Sequence, residues 1–156
     1  MVDVYHDTIP GWDKVIYIAG PFSDPDKMHG IEANILAASR AALDAWRAGW
    51  ATICPHKNSA GFQHAADLPY EVWTRGDLAI LSKCDAILLM QQWDTSPGAR
   101  KELIHAVKES IPVYLHRPSA PALRRLIPVD DEDVLVELDL RAREIERWHS
   151  KGWKIS

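Results

Sequence analysis

The sequence predicts a doubly wound α/β fold, a parallel sheet with helices on both faces, spanning residues 1–156 as a single domain. Three observations predict it. Short apolar runs rich in β-formers alternate with longer stretches whose apolar residues recur at helical spacing. Most of these segments are bounded by glycine, proline or a polar turn. A length of 156 residues, 47% hydrophobic and 26% charged, suits one soluble compact unit. Strands and helices alternating at these lengths imply right-handed βαβ units, and ligands of such sheets sit beyond the carboxyl ends of the strands.

The first run, KVIYIAGP, reads as a buried strand from Val15 to Ala19, stopped by Gly20-Pro21. After the loop PFSDPDKMHG, Ile31, Ile35, Ala38, Ala42, Ala45 and Trp46 mark an amphipathic helix over about 30–49. Ala51 to Cys54 is the second strand, and the polar stretch from His56 to Asp67 is a loop. Leu68 to Lys83 returns to helical periodicity and carries Asp77 partway along, before Asp85 to Gln91, the strongest buried-strand signal. Ser96-Pro97 opens the next helix, which runs to about Glu109. Pro112 to His116 is a further strand. A proline-rich connection then leads to the acidic cluster Asp130 to Asp133, which opens a last helix reaching toward Gly152. Along that helix Val134, Leu138, Ala142, Ile145 and Trp148 form an apolar stripe that can pack on the sheet or on another subunit.

Composition removes several classes of partner. With 18 basic and 22 acidic residues the formal charge is -4, the wrong sign for a nonspecific binder of nucleic-acid polymers. The longest apolar run, Ala86 to Met90, is far too short for a membrane span, and the N-terminus lacks a signal peptide's apolar stretch, so a cytoplasmic protein is expected. Cys54 and Cys84 then read as reduced thiols. His56, His64 and Asp67 fit no tight zinc spacing, so neither a metal nor a cofactor is expected.

The segment SPGARKE combines a helix N-terminus, two small residues and a carboxylate one turn further in. Unpaired N–H groups of a first helical turn point outward and can hold an anion, helped here by the Ser96 hydroxyl, while Gly98 and Ala99 leave room for a ligand. Glu102, four residues after Gly98, shares that helical face. Spacing alone favours an ordinary helix opening with a solvated glutamate, an Asp77 in an exposed charge cluster with Arg75, and a core tyrosine at position 17.

The ordered set YIAGP, DL, CDAILL and SPGARKE resembles the nucleoside 2-deoxyribosyltransferase superfamily, including its branch of deoxynucleoside 5'-monophosphate N-glycosidases. The resemblance spans about Val15 to Leu115; beyond it no match can be aligned. It implies a flavodoxin-like fold and covalent chemistry at an anomeric carbon. It casts Glu102 as the nucleophile, Tyr17 as the tyrosine that steadies it, and Asp77 as the carboxylate serving the leaving base or the sugar. Transferases acting on free nucleosides resemble this segment with an acidic residue at the place of Ser96, whereas the monophosphate hydrolases carry a serine. The implied partner is therefore a small-molecule nucleotide or nucleoside, with a phosphate at Ser96, Gly98 and Ala99. Gly20, Pro21, Phe22, His56 and Trp93 are the expected neighbours on the rim, with Phe22 and Trp93 placed to stack on a base. Pro21-Phe22 stands where the monophosphate hydrolases have a small Gly- and Ser-containing loop. A homo-oligomer is a further implication of the resemblance. Base exchange, NAD cleavage and a noncatalytic nucleotide sensor on the same fold stay open at this point.

Overall fold

The computed structural model describes residues 13–21, 28–55 and 67–150. Its centre is a five-stranded sheet in the order β2-β1-β3-β4-β5, built from β1 (Val15–Ala19), β2 (Ala51–Ile53), β3 (Ala86–Leu89), β4 (Val113–His116) and β5 (Leu126–Pro128). Four helices accompany it among the described residues: α1 (Met28–Arg47), α2 (Tyr70–Leu81), α3 (Pro97–Lys108) and α4 (Glu132–Ser150). The expected doubly wound sheet is present: β1 pairs in parallel with β2 and β3, and β3 with β4. The order reverses direction at β1, so the crevice beyond β1 and β3 is the place for a ligand.

The fifth strand is an addition that the sequence pattern does not reveal. β5 runs antiparallel to β4, with Leu115 opposite Ile127 and Tyr114 opposite Pro128. Three residues ending in proline carry no usable period, and proline is tolerated there because an edge strand leaves its missing N–H unused. Helix bounds differ from the sequence expectation by a few residues at most, the usual latitude of frayed ends.

Alternation along the strands divides the core. Ile16, Ile18, Ala86, Leu88 and Met90 face one side and pack on Ala38, Ala41 and Ala45 of α1. The small alanines let that helix lie close to the sheet. Tyr17, Ala19, Ile87 and Leu89 face the other side and meet Leu81 of α2, Ala99, Leu103 and Ala106 of α3, and Ala142 of α4. The helix with the apolar stripe thus covers its own sheet with at least one of its residues, Ala142.

A polar tie pins α1 to the far strands. Asp44, itself buried, accepts a bond of 2.8 Å from the His116 ring and one of 2.9 Å from Arg125. Burial pushes the Asp44 carboxyl up, but its hydrogen bonds with His116 and Arg125 outweigh that and hold it below the ordinary carboxylate range.

Gly20 is required by packing. A Cβ at that position would lie 2.5 Å from Met90 Sδ and 2.8 Å from Met90 Cβ, so two neighbouring strand ends can approach only because nothing is there. Gly20→Ala is expected to cost about 1–3 kcal/mol through overpacking, read as a lower denaturant midpoint with unchanged slope.

Candidate active site

Three side chains that share no local sequence meet on the face of the sheet covered by α2 and α3. Tyr17 sits in the middle of β1, in register with Ile53 of β2 and Ile87 of β3, so its ring stands under the helices and is fully buried. Asp77 comes from α2, four residues before the buried Leu81 and therefore on that helix's inward stripe. Glu102 comes from α3, between the core residues Ala99 and Ala106 and next to Leu103. Asp77 and Glu102 both keep partial solvent exposure.

Burial and the neighbouring groups of the trio set the protonation of Tyr17 and Glu102. Burial pushes Glu102 up to about 8; the nearby Asp77 charge adds to the rise, and the Tyr17 hydroxyl opposes it. Burial also raises Asp77 above its usual range. Tyr17 is held neutral, first by burial and then by the two carboxylates. Its hydroxyl meets no hydrogen-bond partner at ordinary geometry among the described residues, yet it is near enough to influence Glu102. A buried hydroxyl without a settled partner is costly, and it stands ready to donate to an ionised Glu102. A tyrosine beneath two carboxylates of raised pKa is an arrangement that enzymes use more often than structural cores do.

The turn between β3 and α3 leads into the helix that carries Glu102. Gln92 adopts φ 62°, a left-handed conformation that costs a non-glycine residue roughly 1–2 kcal/mol, and it sends the chain into the short 3-10 turn Trp93–Thr95. Ser96 then caps α3: its hydroxyl accepts the Ala99 N–H at 3.2 Å, with Pro97 at the first helical position. Gly98 faces open space, since a Cβ there would meet only Ser96 Oγ at 3.9 Å. The first turn of α3 is thus accessible, and it lies one turn before Glu102. Ser96→Ala is expected to cost about 1 kcal/mol through the lost cap, seen as a melting temperature lower by about 2–4 °C.

Of the residues singled out from the sequence, the structure groups Tyr17, Asp77 and Glu102, and sets Ser96, Gly98 and Ala99 at the leading turn of the helix that carries Glu102. Gly20 and Pro21 end β1. Trp93 is a correction: rather than offering a ring to a base on the rim, it is 8% exposed and packs in the core with Ala99, Leu103 and Ala142. Ala99 is likewise buried and its N–H is taken by the Ser96 cap, so the expectation that it touches a ligand is corrected as well. Phe22, His56 and His64 lie outside the described residues. His105, one turn beyond Glu102, shares a 2.6 Å hydrogen bond with Ser82 and lies 3.3 Å from Glu109, partners outside the trio.

Sequence reasoning missed Arg100. It is 2% exposed and turns away from the trio, donating from Nε to Glu146 at 3.0 Å and from a terminal nitrogen to the Asp94 carbonyl at 2.8 Å. Nothing local distinguishes it from the exposed Lys101 beside it. A separate apolar groove of about 770 Å³ beside β2, lined by Leu43, Trp46, Ile53 and Ile80 among others, contains none of the three reactive groups.

Comparison with known proteins gives two findings. The model of the family described as "Domain of unknown function (DUF4406)" matches residues 14–115. The structure of a 2-deoxyribosyltransferase from the psychrotolerant bacterium Bacillus psychrosaccharolyticus is similar, with a TM-score of 0.49 and 19% identity, over 69% of this chain and 74% of that one. No curated protein matches the sequence.

Proposed function

The chain belongs to the DUF4406 family, and we propose that it cleaves the base–sugar bond of a nucleoside or nucleotide, more narrowly a (deoxy)nucleoside 5'-monophosphate, through a glycosyl ester on Glu102. The observation that carries the proposal is the convergence of Glu102, Asp77 and Tyr17 behind an open helix N-terminus. The ordered motifs that resemble the deoxyribosyltransferase superfamily support it independently, because they name the same three residues.

In this mechanism the 5'-phosphate accepts from the Gly98 N–H and the Ser96 hydroxyl at the start of α3, where partial positive charge favours an anion. The ionised Glu102 attacks C1' opposite the base. The transition state has oxocarbenium character, so the carboxylate first stabilises the charge and then forms the C1'–O bond as the C1'–N bond breaks. Asp77, whose burial favours the protonated form, gives its proton to the departing base. The Tyr17 hydroxyl donates to Glu102 and fixes its orientation. Water then attacks C1', loses a proton to Asp77, and frees Glu102 with the sugar phosphate as second product.

The test is chromatography of a mixed panel of ribo- and deoxyribonucleoside monophosphates, the matching nucleosides and NAD, with the wild type and Glu102→Ala, in the presence and absence of an added foreign base. Free base is expected from a monophosphate with the wild type alone. Exchange into the foreign base would replace hydrolysis by transfer, and equal release by both proteins would remove the mechanism.

A further inference from the structure

The reactive trio leaves one buried charge unexplained. Arg100 is the largest fully buried side chain among the described residues, and it sits between the α3 cap and Glu102 without facing the cleft residues. Its partners are Glu146 on α4 and the backbone carbonyl of Asp94 in the 93–95 turn. The Asp94 carboxylate in turn pairs with Arg141 of α4 at 2.5 Å. The two pairs are reciprocal: α4 offers one cation and one anion, and the 94–100 segment answers with one anion and one cation. Between them Ala142 is fully buried against the layer that holds Trp93 and Ala99.

Stability alone is a poor reason for this arrangement. Desolvating a guanidinium is expensive, and a buried ion pair is often matched or bettered by apolar residues of the same volume. What a guanidinium adds is direction, because its planar donors bind a carboxylate and a carbonyl only from fixed angles. Here those angles hold the carbonyl of residue 94, two residues before Ser96, which caps the helix. Gln92 with its left-handed backbone begins the same turn, so the segment starts from a strained conformation that something must hold in place. All of α4 lies beyond residues 14–115, the stretch matched by the family.

We propose that α4 is a clamp for the turn that opens α3, with Arg100 as a positioning residue that, through Glu146 and the Asp94 carbonyl, sets the Ser96 hydroxyl and the Gly98 N–H for the substrate's phosphate. This deepens the glycosidase reading and rests on it for the identity of the ligand. The clamp makes phosphate-bearing substrates depend on a helix that never touches them. Glu102 faces Tyr17 and Asp77 rather than the two ion pairs with α4, so catalysis there depends on those pairs much less.

The test pairs hydrogen exchange with kinetics on the full-length protein, using Glu146→Gln with Arg141→Ala, both at positions that solvent reaches, and Arg100→Lys as the conservative exchange. In the double variant, amide exchange across residues 93–100 is expected to quicken by about tenfold while β1 and β3 keep wild-type protection. KM for the cleaved monophosphate is expected to rise about tenfold with kcat within about twofold, and KM for the corresponding nucleoside to stay unchanged. Arg100→Lys should fall between the two proteins. Unchanged exchange at 93–100, or equal loss for nucleotide and nucleoside, would overturn the clamp. The exchange arm decides the matter even if the wild type releases no base, an outcome that would sink the glycosidase reading and leave the clamp standing on its own.

Discussion

Glu102→Gln is expected to lower base release by on the order of 10⁴-fold or more, since removal of a nucleophile that acts with its partners as a unit abolishes nearly all their joint effect. The amide has nearly the shape of the carboxyl and keeps the cleft filled, so nucleotide affinity should stay within about threefold, measured by calorimetry. The same substitution should stabilise the protein. Burial lifts Glu102 from an ordinary carboxylate value to about 8, so between those values the folded state holds a proton that the unfolded chain has released. Folding stability must therefore decline as pH rises through that window and level off above it. Below the window both forms are neutral and Glu102→Gln should melt near wild type. At pH 9 it should melt higher, by about 2–4 °C for each kcal/mol recovered. A variant that is dead and gains heat stability over the wild type as pH rises from about 4.5 to about 8 is the signature of a carboxylate kept for chemistry at a cost in stability.

The pH dependence of kcat/KM is the second large effect. Attack requires ionised Glu102, and its pKa of about 8 in the free protein makes the ionised form a minority at neutral pH. Because Asp77 must keep the proton it gives to the base while Glu102 is ionised, the rate should rise with pH as Glu102 ionises and fall once Asp77 loses its proton, a bell-shaped profile. Desolvation is the first cause of the raised pKa and the Asp77 charge a smaller one, so Asp77→Asn should move the rising limb to lower pH while leaving it above the range of an exposed glutamate. Because the two carboxyls interact, the limbs of the wild-type curve belong to the pair. An activity that rises to a plateau already by pH 5 would show that Glu102 is not the group whose ionisation starts the reaction.

Much of the architecture was legible in the residues because parallel, doubly buried strands leave continuous apolar runs. VIYIA and AILL sit in the sheet where those runs predict them. Leu126–Pro128 was not legible, since a three-residue edge strand gains its identity only from pairing with β4. Ser96-Pro97 announced the helix start through local chemistry, and the structure shows the cap. Tyr17, Asp77 and Glu102 were found by resemblance to a family, because residues so far apart along the chain show no spacing that betrays their meeting. Trp93 was misjudged because position after a strand end says nothing about which way a ring turns, and the 3-10 turn rotates it into the core. Arg100 escaped for the complementary reason. Its charged partner, Glu146, lies 46 residues away in another helix, and no local pattern records a contact of that range.

The claim on which the rest depends is a covalent bond between C1' and residue 102. Acid quenching of the protein with a 2'-fluoro nucleoside monophosphate, followed by mass spectrometry of its peptides, reads that bond directly, because the electron-withdrawing fluorine destabilises the oxocarbenium-like transition state for hydrolysis of the ester and lets it survive the quench. The account expects the peptide containing Glu102 to gain the mass of the fluorinated sugar phosphate, and Glu102→Gln to gain nothing. Release of base with an unmodified peptide, or a sugar attached to any other residue, would contradict it.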